Sequence, residues 1–387
     1  METSRYVVVG AGLAGAATAC SLARRGLEVS VLERDVPAAH DGSSHGSARI
    51  FRYAYPDRFW TDLVVRARAG FDELEGLSGR RLITPTGSLD FGSTRDPELL
   101  ASVLQASGVE HEVLGREEAR GRWPQIAFDT DVLWHPGAGV IDAETTVLTQ
   151  VELARQHGAQ VFSGWELRSV APTGTGYRLT SADGRRLEAE NVVVAAGGWL
   201  PRLLADLALP QEFLERVPAL EVSQEQAFHF PYRDAEPPAT PMPTFIHKSP
   251  RIQTYSLPGG RDAGFRGQKL AEFNAGRKLG SAAEQDEVVD PSNRERVIAY
   301  VEEFLPGLVP EPYAETTCLF TNTPTEDFVL DRAEGITLVS PCSGHGAKFS
   351  PLVGELAADV ATGGKGPERF TLEALAANGG SGVEVHA

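Results

Sequence analysis

The sequence predicts an α/β fold, a Rossmann-like dinucleotide-binding domain joined to a second α+β domain built on an antiparallel sheet. The chain opens on Tyr6-Val7-Val8-Val9, which runs into Gly10, Gly12 and Gly15 at G-x-G-x-x-G spacing. A small-residue helix and a second apolar strand, Val29 to Leu32, follow, and that strand ends on Glu33. Much later, Asn191-Val192-Val193-Val194 reads as a buried strand ending in Gly197-Gly198, where another backbone segment can approach the same ligand. Between and after these, short strands and polar helices interrupt the α/β pattern, which is the mark of an inserted domain.

Each part of the opening unit has a physical task. Gly10 permits a tight turn, Gly12 lets the backbone approach a pyrophosphate, and Gly15 lets helix and strand pack closely. The helix, Leu13 to about Arg25, closes at Gly26 and presents the positive end of its dipole to phosphates. Glu33, eighteen residues past Gly15, stands where an acid accepts hydrogen bonds from a ribose. Cys20 falls on the small-residue face of this helix and reads as a buried hydrophobe.

Composition narrows the function. The 387 residues are 42% hydrophobic with no low-complexity tract, and the formal net charge is −17, which disfavours nucleic acid and anionic membranes as partners. No run of eighteen apolar residues predicts a membrane span, and no secretory leader precedes the first strand, so a cytoplasmic protein is expected. Three cysteines, Cys20, Cys318 and Cys342, have neither disulfide-framework nor metal-ligand spacing.

In place of a third strand comes a Gly/Ser/His-rich loop, Asp41 to Arg52, suited to close ligand contact. Arg49 and Arg52 are three apart and would share a face in a helical turn. A helix is expected over Leu63 to Leu77, a hairpin strand over Thr86 to Gly92, a helix over Pro97 to Ser107, and a turn-rich return over Trp134 to Val140. Asp142 caps a helix from Ala143 to His157 that ends at Gly158. A strand at Ala159 to Phe162 follows. Leu167 to Val170, Tyr177 to Ser181 and Arg186 to Ala189 form a small antiparallel set with an Asp183-Gly184 turn. The Pro-rich stretch from Val217 to Val309 carries strands near Ala227, Thr244 to His247 and Ile252 to Leu257, and a helix over Pro291 to Phe304. Thr337 to Ser340 reads as a strand. The loop Pro341 to Phe349 then leads to a helix ending at Ala361, with Ser350 as its cap and Pro351 at its first position.

Four separated stretches together resemble the monomeric sarcosine oxidase and N-methyltryptophan oxidase family of flavin amine oxidases, which has the glutathione-reductase-type fold. They are Gly10 to Gly15, Gly42-Ser43-Ser44-His45-Gly46 through Arg52, Cys318-Leu319-Phe320-Thr321 through Asp331, and Ser343-Gly344-His345-Gly346-Ala347-Lys348-Phe349-Ser350. The resemblance spans nearly the whole chain. It implies an FAD-binding domain over 1–85, 140–217 and 318–375, a substrate domain over 86–139 and 218–317, and a flexible tail over 376–387. The pyrophosphate of FAD would lie at Gly10, Gly12 and Gly15 and its ribose at Glu33, with Arg34, Ser43, Ser44, Gly197, Gly344, His345 and Gly346 also at the cofactor. Cys318 would join the flavin covalently, while Cys342 is left as a packing residue.

The same resemblance makes Arg52 and Lys348 the pair that holds a substrate carboxylate, a bidentate fork and a point charge. Lys348 also borders the cofactor. Arg49 and His45 would lie at the flavin face, Lys269 would help oxygen accept electrons, and Tyr255 would border the substrate. Two departures stand out. Gly259-Gly260-Arg261-Asp262 is extra material between Pro258 and Lys269. Phe273 and Phe320 replace a customary histidine and tyrosine, which favours a bulkier or cyclic amine over sarcosine.

The implied enzyme is an FAD-dependent oxidase of a secondary amino acid, N-methyl or cyclic. It would transfer hydride to flavin N5, release an imine, and be reoxidised by O2 to give H2O2, as a monomer without metal, nucleic acid or membrane. The alternatives are a cyclic imino acid oxidase or dehydrogenase in a biosynthetic pathway, a flavin-binding protein without turnover, and a nicotinamide dehydrogenase. Retention of Lys269 with Arg52 and Lys348 speaks against the flavin-binding protein without turnover, and the Cys318 motif against the nicotinamide dehydrogenase.

Overall fold

The computed structural model describes residues 2–234 and 241–378. The opening unit is β1 (Glu2–Val9), α1 (Leu13–Arg24) and β2 (Val29–Leu32). Next come β3 (Arg49–Phe51), α2 (Arg58–Ser78), β4 (Ile83–Pro85), β5 (Ser88–Phe91), α3 (Pro97–Ala106), β6 (Glu112–Leu114), α4 (Arg116–Arg122), β7 (Val132–His135) and β8 (Gly139–Ile141). The α/β pattern resumes with α5 (Ala143–Gln156), β9 (Gln160–Phe162), β10 (Leu167–Pro172), β11 (Tyr177–Ser181) and β12 (Arg186–Val194), then two helical turns, α6 (Leu200–Leu203) and α7 (Gln211–Leu214). β13 (Glu221–Pro231), β14 (Thr244–Lys248), β15 (Gln253–Pro258), β16 (Gly267–Glu272), β17 (Arg277–Leu279), α8 (Pro291–Phe304) and β18 (Ala314–Asn322) make up the long middle section. β19 (Val329–Ala333), β20 (Ile336–Ser340), α9 (Ser350–Ala361) and α10 (Leu372–Asn378) close the chain.

Among the described residues, eight strands form one sheet in the order β10-β11-β12-β1-β2-β9, with β20 beside β12 and β19 beside β20. Its central pairs, β12 with β1, β1 with β2, β2 with β9 and β12 with β20, are parallel. Val7, Val8, Val192, Val193 and Val194 are fully buried there, as expected of strands covered on both faces. Nine strands form a second sheet, β17-β13-β16-β15-β14-β5-β7-β6 with β18 on β13, antiparallel except where β14 meets β5. β3, β8 and β4 make a small third sheet.

Helix α1 packs between α5 and α9 because its inward positions are small: Ala16, Ala17, Ala19, Cys20 and Ala23 are all buried. The approach of α9 needs a glycine too, since a Cβ on Gly354 would fall 2.5 Å from the Ala17 backbone. Asp142 caps α5 through Thr145 N, as its position predicts.

Several local expectations give way to tertiary context. Arg186 to Ala189 and Asn191 to Val194 are one strand, β12, whose first half pairs with β11 and whose second half pairs with β20. The antiparallel set is therefore part of the main sheet. Ser88 to Phe91 is not in a hairpin with its sequence neighbour; it is an interior strand between β14 and β7, buried along its length. Arg49 lies on β3 opposite Ile141, so no helical turn gathers Arg49 and Arg52 on one face. Helix α2 starts five residues early because Asp57 caps it through Phe59 N. Ser350 is inside α9 and not its cap; its hydroxyl donates to Leu13 O and so ties α9 to the start of α1. The expected border at 318 cuts through β18, all of which pairs along β13. Residues 376–378 belong to α10, and the rest of the expected tail lies outside the described residues.

Candidate active site

A cavity of about 540 Å³ lies at the C-terminal ends of β1, β2 and β20, where a parallel sheet places its ligands. Gly10, at φ +96°, has no room for a side chain, since a Cβ would fall 2.5 Å from Ala195 O. A Cβ on Gly15 would collide with Gly10 O at 1.9 Å, and one on Gly12 would meet Ser44 Oγ at 2.8 Å. This glycine-walled cradle, with the first turn of α1 on one side and Glu33 on the other, fits a dinucleotide. Glu33 accepts from Ala11 N at 2.6 Å and from Asp35 N at 3.1 Å, which fixes its carboxylate at the cavity wall. Arg34 pairs with Asp41 and stacks over Trp199 at 4.5 Å. Ser44 Oγ accepts from Leu13 N at 3.0 Å, and Ser43 Oγ donates to Leu319 O at 2.7 Å, so the polar loop links α1 to β18. Gly197, at φ +52°, also lines this cavity. Gly346 does so where its loop folds back on itself, with space for a Cβ only 1.6 Å from Pro341 O.

A smaller cavity of about 110 Å³ adjoins the first, and Arg49, Cys318, Phe320, Gly344 and Ala347 line both. Alternation along β18 turns Cys318 and Phe320 the same way. Burial raises the pKa of the Cys318 thiol, only partly opposed by Arg49 and Lys269. Cys342 lines the large cavity alone and accepts from Thr321 N at 3.3 Å. Lys269, on β16, is 5% exposed with Nζ 3.5 Å from Ala48 O. Burial, then Arg49, brings its pKa down to about 8 against the pull of Cys318 and Asp262. Tyr255, on β15, lines the small cavity, and burial drives its phenol pKa up. Phe273 and Phe320 meet with ring centroids 5.9 Å apart; a Cβ on Gly344 would sit within 3.0 Å of both rings.

The structure brings Arg52 and Lys348, from β3's end and the loop before α9, onto this same small cavity, 5% and 4% exposed. Both lie against Tyr55, Arg52 Cζ at 4.6 Å and Lys348 Nζ at 5.5 Å from the ring centre. Lys348 Nζ donates to Tyr55 OH at 3.0 Å and to His345 O at 2.7 Å. Tyr55 OH, already an acceptor, then donates to His345 Nδ1 at 3.0 Å, which leaves His345 Nε2–H for Glu326 O at 3.1 Å. Burial, then Arg52, lowers the Lys348 pKa well below its ordinary value. Behind Arg52, buried Asp90 holds Arg95, and both guanidinium groups donate to Ala54 O. Burial opposes ionisation of Asp90, yet Arg95, Arg52 and His135 pull its pKa below the usual value.

One expected residue stands apart. His45 lines neither cavity; it packs on His40, its Nε2 has no hydrogen-bond partner, and burial with Arg49 brings its pKa down to about 3. The extra Gly259 to Asp262 material holds the loop beside it. Asp262 accepts from Ser47 and Arg261 bridges Asp142 and Glu144.

Sequence reasoning missed Tyr55, Asp90, Arg95 and Lys248. Lys248 lines the small cavity, 6% exposed, with Nζ 5.8 Å from the Phe273 ring centre. The strand expected at Thr244 to His247 stopped one residue short. Carrying its two-residue alternation from Ile246 to Lys248 would have found it, because both face the cavity.

The sequence pattern of the family described as "FAD dependent oxidoreductase" matches residues 5–360. The chain is 29% identical over 374 residues to the monomeric sarcosine oxidase of Streptomyces avermitilis, covering 94% of each. It is 30% identical over 375 residues to the peroxisomal sarcosine oxidase of Homo sapiens, covering 90% of each. The solved open form of NikD, described as an unusual amino acid oxidase essential for nikkomycin biosynthesis, superposes with a TM-score of 0.82 at 25% identity. That match covers 94% of this chain and 95% of NikD.

Proposed function

The chain belongs to the FAD dependent oxidoreductase family, and from that premise we propose that it oxidises a secondary amino acid, N-methyl or cyclic. The observation that carries this reading is the small cavity. It opens onto the dinucleotide cavity and buries Arg52 and Lys348, cations from distant parts of the chain, on one wall. Two cations buried side by side call for an anion between them, and an α-carboxylate supplies it. When bound, FAD would supply the redox chemistry, taking up the hydride equivalent lost from the carbon beside the substrate nitrogen and giving its two electrons to oxygen.

The remaining groups take roles from their positions. Gly10, Gly12, Gly15, Glu33, Arg34, Ser43, Ser44, Gly197 and Gly346 hold the cofactor in the large cavity. Cys318, on both cavities, is the residue we assign to its covalent attachment. Gly344 and Arg49 border it at the junction, while His345 acts beside Lys348. Tyr255, Phe273 and Phe320 wall the substrate, and the two phenylalanines keep water from the reacting carbon. Lys269, a cation buried on the same cavity, stabilises negative charge developing on oxygen. The eight-stranded sheet and its helices serve as the cofactor domain, the nine-stranded sheet as the substrate domain.

The test is a peroxide-coupled screen of N-methyl and cyclic amino acids against the purified holoenzyme, paired with anaerobic bleaching of the flavin. Oxidation of at least one secondary amino acid, with primary amino acids and nicotinamide cofactors inert, is expected. Bleaching without peroxide would move the assignment to a dehydrogenase. A second reading, oxidation of a cyclic imino acid, draws on the apolar Phe273–Phe320 wall and the likeness to NikD, and the cyclic arm of the screen separates it.

A further inference from the structure

We propose that Asp262, on the loop between β15 and β16, is a positioning residue for Lys269: it fixes the backbone carbonyl on which the ammonium rests and stands as its counter-charge. The inference rests on the oxidase reading, in which that ammonium meets oxygen, and it gives the Gly259 to Asp262 segment a task. The chain of contacts is short. Asp262 Oδ1 accepts from Ser47 N at 3.2 Å and from the Ser47 hydroxyl, and Asp262 N donates back to Ser47 Oγ at 3.2 Å. The next residue, Ala48, offers the carbonyl that accepts from Lys269 Nζ at 3.5 Å and from Arg49 Nη1 at 3.1 Å. Two glycines let the loops meet this closely. A Cβ on Gly260 would fall 2.2 Å from Ser47 Oγ, and one on Gly46, at φ +79°, would fall 3.1 Å from Asp262 Oδ2. Arg261 anchors the loop on Asp142 and Glu144, and Glu144 N in turn donates to Gly46 O at 3.1 Å.

Charge points the same way. Lys269 is faced by Arg49 on β3, His45 and Asp262 on loops, His229 opposite it on β13, Cys318 on β18 and Tyr255 on β15. Burial keeps the two histidines neutral and the thiol and phenol protonated. Arg49 is a second cation, so among these described residues Asp262 carries the one negative charge. Asp262 as a whole is exposed, but its carboxylate is turned inward onto Ser47 and Gly46. Partial burial opposes its ionisation, yet the Ser47 hydroxyl, then Lys269, hold its carboxyl below the usual carboxylate range, so it is ionised wherever the lysine titrates. Losing the charge and losing the tie have opposite signs. Loss of a counter-charge disfavours the ammonium and lowers the Lys269 pKa, whereas a loop that merely loosened would admit water and raise it.

The experiment uses the flavin-loaded protein with isotope-labelled lysine and follows each lysine side chain by NMR as the pH is raised. The chain has five lysines, Lys248, Lys269, Lys278, Lys348 and Lys365, so the Lys269 resonance is readily identified by its loss in Lys269→Met. Reoxidation of the reduced protein by oxygen is measured over the same pH range. In Asp262→Asn the titration midpoint of Lys269 should fall by about half a unit or more, and the pH at which reoxidation declines should fall with it. Asp262→Glu, which restores the charge, should recover most of the shift. A Lys269 midpoint that stays or rises in Asp262→Asn overturns the proposal and leaves Asp262 as a tie between loops. Should Asp262→Asn fail to fold, Asp262→Ser, which keeps a hydroxyl toward Ser47 but no charge, is read by the same two outcomes. The two readings fail separately. A midpoint that falls while reoxidation does not follow it upholds Asp262 and rejects the oxygen role of Lys269. Reoxidation that tracks Lys269, with a midpoint unmoved in Asp262→Asn, rejects only Asp262.

Discussion

Lys269 is a buried lysine, and burial, then the neighbouring Arg49, brings its pKa down to about 8. Its ammonium form is the one that can stabilise charge on oxygen, so it acts below about pH 8 and is lost as pH rises through that value. The oxygen reaction of the reduced enzyme should be fastest below pH 8 and decline above it, and stopped-flow reoxidation from pH 6 to 10 checks this; a flat profile would sink the assignment. In Lys269→Met the same reaction should slow about 10²–10³-fold, with anaerobic reduction by substrate changed far less. Equal loss in both half-reactions would make the lysine structural. For Arg52 and Lys348, removing either charge should weaken a carboxylate ligand by about 1.5–3 kcal/mol, roughly ten- to a hundredfold in Kd. Phe273→His should shift kcat/KM toward sarcosine relative to a bulkier N-methyl amino acid. No shift would mean that the ring only packs against Phe320.

At the scale of elements, the site depends on strands that alternate and on helices small enough to touch. β18 presents Cys318 and Phe320 to the junction, β14 presents Ile246 and Lys248, and β16 brings in Lys269 beside β15 and Tyr255. The cofactor end of α1 is held by α9, through the Ser350 hydroxyl on Leu13 O and the close approach of Gly354 to Ala17. Gly354→Val should therefore drive the helices apart at a cost of about 1–3 kcal/mol. The expected result is a lower Tm and less flavin retained through gel filtration. An unchanged Tm would show that α1 and α9 can shift apart freely.

For the whole molecule, the cofactor cavity draws on segments near residues 10, 33, 43, 197, 320, 342 and 346, so FAD ties together parts of the chain that are far apart in sequence. A ligand held by the folded state alone stabilises it by mass action, about 2.7 kcal/mol at a hundred times Kd. If Cys318 carries the covalent bond, acid-precipitated wild-type protein should stay yellow. Cys318→Ser should release its flavin into the supernatant and show a Tm that climbs with added FAD. A colourless wild-type precipitate would refute the covalent assignment and leave the fold untouched.

Much of this was legible in the order of residues. Local rules suffice where a few adjacent residues decide the outcome: the glycine triplet and its acid, the Asp142 cap, the helix over Pro291 to Phe304. The dinucleotide cradle and the Arg52–Lys348 meeting on one cavity were likewise readable, the second because a family pattern records what long-range packing accomplishes. Other features depend on pairing between distant segments. Only strand partners decide that β12 is one strand shared by β11 and β20, or that Ser88 to Phe91 is an interior strand. Ser350 reads as a cap until α1 supplies Leu13 O as its acceptor. Lys248 falls just past the strand expected over Thr244 to His247, and only the placing of β14 between β5 and β15 extends the strand to it and aims it inward. The sequence by itself determined the elements and the cofactor turn, because those energies are settled within a few residues. The tertiary structure alone decided that Lys248 joins Arg52 and Lys348 on that cavity, because that depends on which faces of separate strands the fold turns toward the same space.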